Sequence, residues 1–407
     1  MPRNFSRRDF LASTAALAAL STARAAQPAG GGLEVILEGA GERPITVSVT
    51  AGTPALADLA QRAFDAHGRY RRVASGAQFD LRFTAAGANQ VRVEARQSGA
   101  LVLGETATGT SQNNALLRAA DLAVKATSKL NGFFASKLSF VRLLAKPAQE
   151  DVHTSDLFFT ETFSITADRA HAITPHWSPD GQRLIYTSYK KGFSDILVLN
   201  LATQRVENFF VNKQGTSVGA CYSPDGRQVA MVLSGEGQQE IYVGDADGRA
   251  APARRTRSVT VKSHPCWSPD GARLVFSMTP GPQLYLMSAD GGTPQRLVTG
   301  FSYAAEPDWC RADPDKIAFT VGQGRGYQIA VASISGRFPA KVIAPKGLPA
   351  AYDMQEPTWL ADGRHLVCTA KAADVRVLYL LDTETGKATR LSPASLGECS
   401  QPSVWGP

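Results

Sequence analysis

Two textures of hydrophobic and polar positions divide the chain. Between Leu33 and about residue 134, alternating stretches give way to helically spaced ones and back again. Leu33–Leu37 and Ile45–Val49 read as strands by β-branched content and period-two alternation. Leu56, Leu59, Ala60, Ala63 and Phe64 then recur at helical spacing behind Thr53-Pro54, a capping residue followed by a proline whose missing N–H costs nothing at the first helical position. Gly68 can end that helix. Phe79–Phe83, Val91–Ala95 and Leu101–Thr108 alternate again, and Ser111 caps a second helix carrying Leu116, Ala119, Ala123, Ala126 and Leu130, with Asn131-Gly132 as its stop. The alternation predicts a small α/β domain over 33–134, with its own core.

From residue 135 to 407 the texture changes to short strands separated by Gly, Pro and Asp turns. Trp177-Ser-Pro-Asp-Gly181 returns as Tyr222-Ser-Pro-Asp-Gly226 and Trp267-Ser-Pro-Asp-Gly271. The aromatic anchors Trp177, Tyr222, Trp267, Trp309, Trp359 and Trp405 are 45, 45, 42, 50 and 46 residues apart, the period of four-stranded β-propeller blades. Ser-Pro-Asp-Gly suits a type I turn, because Pro fixes the first φ, Asp tolerates the second position and Gly permits the exit. In the first blade the strands are expected over Pro175–Ser178, Leu184–Thr187, Ile196–Leu199 and Val206–Val211. Leu138–Leu144, Asp156–Thr160 and His171–Thr174 precede that blade and lack an inner strand, which Ser403–Trp405 is expected to supply. The fold class is therefore α+β multidomain, an α/β domain followed by a six-bladed propeller closed by its C-terminal strand.

The first residues modify this picture. A basic opening with Arg7-Arg8, a short apolar run to Leu20 and Ala23-Arg24-Ala25 are expected to be an export signal over 1–25 that resembles the twin-arginine type. A general secretory signal carrying a chance Arg pair is the alternative, and the run is too short to remain as a membrane span. Gln27–Gly32 belongs to a flexible lead, 26–32. The formal charge of +7 falls to about +4 without the signal, and no clustered basic run follows, so nucleic acid is not an expected partner. Five cysteines, Cys221, Cys266, Cys310, Cys368 and Cys399, leave at least one unpaired. They read as small apolar fillers of strands, with a Cys221–Cys266 disulfide as the alternative, since both stand one residue before an anchor.

Ala135–Phe140, Ser178–Tyr186, Asp195–Leu199 and Gly291–Leu297, in the order export signal, α/β domain, propeller, resemble the wording of the TolB family of periplasmic Tol-Pal proteins. The resemblance runs over about residues 33–407. It implies a periplasmic monomer without catalytic activity or cofactor. It also implies that the loops leading into the inner strands receive the peptidoglycan-associated lipoprotein, that the N-terminal segment 26–32, with Ala26, Gln27 and Pro28, contacts partners, and that a TolA-like protein is among the partners. Carried over by position, the rim candidates are Thr216, Gly219, Ser263, His264, Glu306 and Glu356. Four of these, Gly219, His264, Glu306 and Glu356, stand three residues before their anchors and should ring the mouth of the channel. Such a scaffold would maintain the outer membrane and support cell division.

The same residues bear on catalytic alternatives. The sequence holds no Gly-x-Ser-x-Gly elbow, His-Glu-x-x-His, phosphate-binding Gly-Lys-Ser/Thr loop or dinucleotide fingerprint. His171, His176 and His264 could approach one end of a ring, which keeps open a metal-dependent carbohydrate-active propeller; a propeller binder outside Tol-Pal is the other alternative. Asp180, Asp225, Asp270 and Asp362 invite a calcium reading, but each is on a different blade and is accounted for by its turn. Lys190-Lys191 and Arg254-Arg255-Thr-Arg257 read as solvated loop residues.

Overall fold

A computed structural model describes residues 43–145, 149–167, 170–210, 215–235, 237–348, 352–372 and 375–406. The expected export signal, the lead with Ala26, Gln27 and Pro28, and the strand over 33–37 lie outside the described residues. Strand β1 (Ile45–Ala51) and helix α1 (Pro54–Ala66) are followed by β2 (Tyr70–Arg72), β3 (Phe79–Gly87), β4 (Gln90–Gln97), β5 (Ala100–Thr108) and helix α2 (Gln112–Ser128). The sheet order is β2-β1-β3-β4-β5; β1 runs parallel to both its neighbours, and β3, β4 and β5 form an antiparallel meander.

Both helices begin where their caps predict. The Thr53 hydroxyl accepts the Leu56 N–H and the Ser111 hydroxyl that of Asn114, satisfying donors that a helix N-terminus leaves open. Helix α1 buries Leu56, Leu59, Ala60, Ala63 and Phe64. Helix α2 stops three residues before the expected Asn131-Gly132, with Lys129 in the left-handed region (φ 66°). The chain then turns tightly beneath the helix, where the Asp121 carboxylate accepts the N–H groups of Phe134 (2.7 Å) and Ala135 (3.0 Å). A side chain on Gly132 would collide with Asp121, its Cβ only 2.2 Å from that of Asp121.

Six four-stranded antiparallel sheets follow. The first strands after α2 are β6 (Lys137–Ala145), β7 (Gln149–Asp156) and β8 (Thr162–Ser164). The next blade is β9 (Ala172–Trp177), β10 (Arg183–Ser188), β11 (Asp195–Asn200) and β12 (Arg205–Phe210), and another is β13 (Ser217–Tyr222), β14 (Gln228–Leu233), β15 (Glu240–Asp245) and β16 (Ala253–Arg254). Then come β17 (Lys262–Trp267), β18 (Arg273–Met278), β19 (Gln283–Ser288) and β20 (Gln295–Arg296), and β21 (Ala304–Trp309), β22 (Lys316–Gln323), β23 (Gly326–Ser333) and β24 (Lys341–Val342). The last complete blade is β25 (Asp353–Trp359), β26 (His365–Ala372), β27 (Val375–Asp382) and β28 (Ala388–Arg390). Strand β29 (Cys399–Trp405) pairs with β6 to give β29-β6-β7-β8, so the C-terminal strand closes the ring as expected.

Two expected strands of that closing blade are misplaced. Asp156–Thr160 is the turn that follows β7, its backbone gathered by the Asp156 carboxylate, which accepts the N–H groups of Phe158 and Glu161. His171–Thr174 belongs to the entry of β9, and the fourth strand is the short β8. The error has a physical source: Leu157, Phe158 and Phe159 are apolar because they pack under the α/β domain, not because they form a strand.

The Ser-Pro-Asp-Gly turns are self-sufficient. The Gly181 N–H donates to the Ser178 carbonyl (2.9 Å), the Ser178 hydroxyl to Asp180 (2.5 Å), and the Gln182 N–H to the same carboxylate (3.0 Å); Ser223-Asp225 and Ser268-Asp270 repeat this. Indole N–H groups join blade to blade. Trp177 donates to the Ser403 carbonyl, Trp267 to that of Cys221 and Trp359 to that of Asp308. A single apolar cluster runs from the α/β sheet through Phe133 and Phe134 into β6, Leu157, Phe158 and the β26–β27 residues Val367, Leu378 and Leu380. The α/β domain is thereby seated on the last two blades.

Candidate partner-binding site at the channel mouth

The inner strands β9, β13, β17, β21, β25 and β29 touch one another in a closed circle. Each is broken by a register shift between its ladder pairs, and at that bulge one residue takes a left-handed φ: Thr174 (51°), Gly219 (60°), His264 (51°), Glu306 (54°), Glu356 (57°) and Gln401 (52°). Only one of the six is glycine. Holding the others in this region costs about 1–3 kcal/mol each, so the surroundings must fix them, and such clustering is typical of functional positions.

What fixes them is a belt of hydrogen bonds around the channel. The Thr320 hydroxyl donates to Glu306 Oε2 (2.7 Å), and the Glu356 N–H of the next blade donates to the same oxygen (3.1 Å). The Thr369 hydroxyl donates to Glu356 Oε2 (2.6 Å), which also accepts the Gln401 N–H (2.8 Å). Gln401 Oε1 accepts the Thr174 N–H (2.7 Å), Thr187 Oγ1 that of Gly219 (3.2 Å), and Ser277 Oγ that of Glu306 (3.2 Å). At the remaining junction β14 has Val232 where β10, β18, β22 and β26 have Thr187, Ser277, Thr320 and Thr369. The belt is therefore plainest where Gly219 meets His264, and His264 is the ring member most open to solvent.

The ring's electrostatics follow from enclosure. Burial raises the Glu306 and Glu356 carboxyls above the usual range, with Glu306 adding to the rise at Glu356, and the protein walls around His264 lower its imidazole by partial desolvation although its surface stays open to water. Two residues further along the inner strands, burial and Arg311 push His176 down to about 4, and burial pushes Asp308 up to about 6. Asp308 accepts the Trp359 N–H at 2.7 Å.

Four rim candidates, Gly219, His264, Glu306 and Glu356, thus occupy one equivalent place. Thr174 and Gln401 complete the ring. Thr174 was legible as the residue three before Trp177; Gln401 was not, because it stands four before Trp405 and only the bulge restores its alignment. Ser263 pairs with Ser277 beside His264, whereas Thr216 lies outside the ring, exchanging hydrogen bonds with Ser234.

The histidines of the metal reading do not converge. His171 Nδ1 lies 3.0 Å from Glu150, and His176 sits at a different level from His264, its Nδ1 3.1 Å from the Trp177 carbonyl. The alternative disulfide is also absent: all five cysteines are free, with the Cys221 thiol donating to the Pro265 carbonyl (2.9 Å) and Cys266 only partly buried. Lys191 is paired with Asp195 (2.8 Å), and Arg254 with buried Glu240 (2.9 Å).

The TolB beta propeller domain family (PD40) matches residues 125–407. This chain belongs to the TolB family. It is 31% identical over 182 residues to a TolB homolog of Chlorobium chlorochromatii, covering 44% of this chain and 40% of that protein. It is 27% identical over 178 residues to the Tol-Pal system protein TolB of Bordetella pertussis, covering 42% and 39%. The aligned stretches span at most about two-fifths of these curated relatives. The crystal structure of TolB from Acinetobacter baumannii superposes with a TM-score of 0.77 at 20% identity, covering 89% of this chain and 97% of that one, which establishes the shared fold. No helix among the described residues is long and apolar enough to cross a membrane.

Proposed function

We propose that this TolB-family chain is a non-catalytic periplasmic scaffold of a Tol-Pal system, exported by its N-terminal segment. Its channel mouth would receive a peptidoglycan-associated lipoprotein, and Ala26, Gln27 and Pro28 would contact a TolA-like protein. The observation that carries the reading is membership of the TolB family across the whole propeller. The ring supports it: a circle of strained, hydrogen-bonded positions is rigid before any partner arrives, so little ordering cost remains to be met on binding. The test uses purified full-length protein and the peptidoglycan-associated lipoprotein from the same genome. Saturable binding is expected, weakened about tenfold or more by His264→Asn, which keeps a residue that tolerates the left-handed conformation, with little change in melting. Absence of binding, together with an intact outer membrane after gene deletion, would remove the proposal.

A further inference from the structure

Where the end of α1 meets the turn before β26, the molecule buries a second cluster that the channel does not use. His67, the residue capping α1, is fully buried in a sheath of Tyr70, Phe133 and Phe134, its ring centroid 4.3 Å from that of His365. His67 Nδ1 accepts the Arg69 N–H (3.2 Å), while its Nε2 is buried with no partner. His365 Nδ1 lies 2.6 Å from Asp362 Oδ2, and both side chains are fully buried. Donor atoms of His67, Asp362 and His365 all lie within 4.8 Å of one another. Asp382 stands at the edge, 3.3 Å from His365 Nε2 and 2.8 Å from Arg364, close enough that a side chain on Gly68 would strike it.

The unpartnered nitrogen is what favours a cation. Asp362 and Asp382 bring two negative charges, against Arg364 and, beside Asp382, Lys387. A proton on His365 completes the pairing with Asp362 but leaves His67 Nε2 without a partner, a costly state for a buried polar atom. A metal ion takes that nitrogen as a ligand, with the two carboxylates close by to balance its charge. We propose that His67, Asp362 and His365 form a divalent transition-metal site, of the zinc class, that pins the α/β domain to the propeller. Two imidazoles and one carboxylate are a donor set for zinc, not for calcium or magnesium, which take oxygen ligands. Binding releases the proton shared by His365 and Asp362. Since every donor is buried, the ion enters while the interface is open, so it is supplied during refolding as well as to folded protein.

The test is chelator-stripped full-length protein refolded with zinc chloride, desalted and assayed by elemental analysis, with thermal melting in parallel. One zinc per chain and a rise in melting temperature are expected. His67→Phe retains an aromatic ring in the aromatic sheath but removes the donor, and should lose both effects. Cobalt(II) absorption of the wild-type protein reads the site independently of any variant, and a tetrahedral nitrogen–oxygen spectrum is expected. Stripped wild-type protein that neither retains zinc nor gives that spectrum overturns the site, as does His67→Phe protein that retains zinc equally. Loss of the site leaves the channel-mouth binding assay untouched.

Discussion

Asp121 ties helix α2 to the turn that leads into the propeller, and it does so at an electrostatic cost. Burial pushes its carboxyl up to about 7 despite the N–H groups of Phe134, Ala135 and Phe133. Between pH 4 and 7 the unfolded chain therefore loses a proton that the folded one keeps, and stability falls as pH rises, by on the order of 1–4 kcal/mol. Asp121→Asn should flatten that slope in urea melts compared at pH 5 and pH 7.5; an unchanged slope would show that other groups set it. Nothing in the local sequence marks this residue, because it lies mid-helix and its partners are 13 and 14 positions away. His67 and His365 were hidden for the same reason, their contact spanning two domains, whereas Gly219, His264, Glu306 and Glu356 were legible by counting back from an aromatic.

At the scale of elements, the repeated turn is one motif in several environments. A Cβ on Gly181 would fall 2.4 Å from Trp405 Cε2, while at Gly226 the nearest atom, Pro179 Cδ, is 3.6 Å away; both have positive φ, 66° and 72°. Gly226→Ala should cost about 1 kcal/mol, for backbone strain alone. Gly181→Ala should cost roughly 2–4 kcal/mol, because the clash falls on the ring that closes the propeller. Denaturant melts of the two variants compare them directly, and equal losses would mean that Trp405 yields freely. Strand content was legible through the period of the anchors, but Leu157–Phe159 misled because an apolar run looks alike whether it pairs in a sheet or packs beneath a domain.

For the whole molecule, closure is the decisive contact. Strand β29 supplies the inner edge of the last sheet, Trp405 Nε1 donates to the Pro179 carbonyl (2.8 Å), and Lys137 Nζ lies 5.0 Å from the Trp405 ring. Cys399 and Val404 belong to the apolar cluster that also holds the α/β sheet. Removing residues 399–407 should thus lower the melting temperature by roughly ten degrees or more and loosen both domains in one transition, followed by calorimetry. An unchanged trace would mean that the ring stands without its clasp.

The sequence by itself determined the repeat, its turns, the number of blades, the two capped helices and the closing strand, since each depends on residues near in the chain or on a fixed period. Only the tertiary structure decided which residues meet around the channel, that Thr174 and Gln401 complete the ring, and that His67 reaches the turn of Asp362 and His365. Those contacts join residues tens to hundreds of positions apart, and their partners are chosen by how strands bulge and domains pack, which no local pattern encodes.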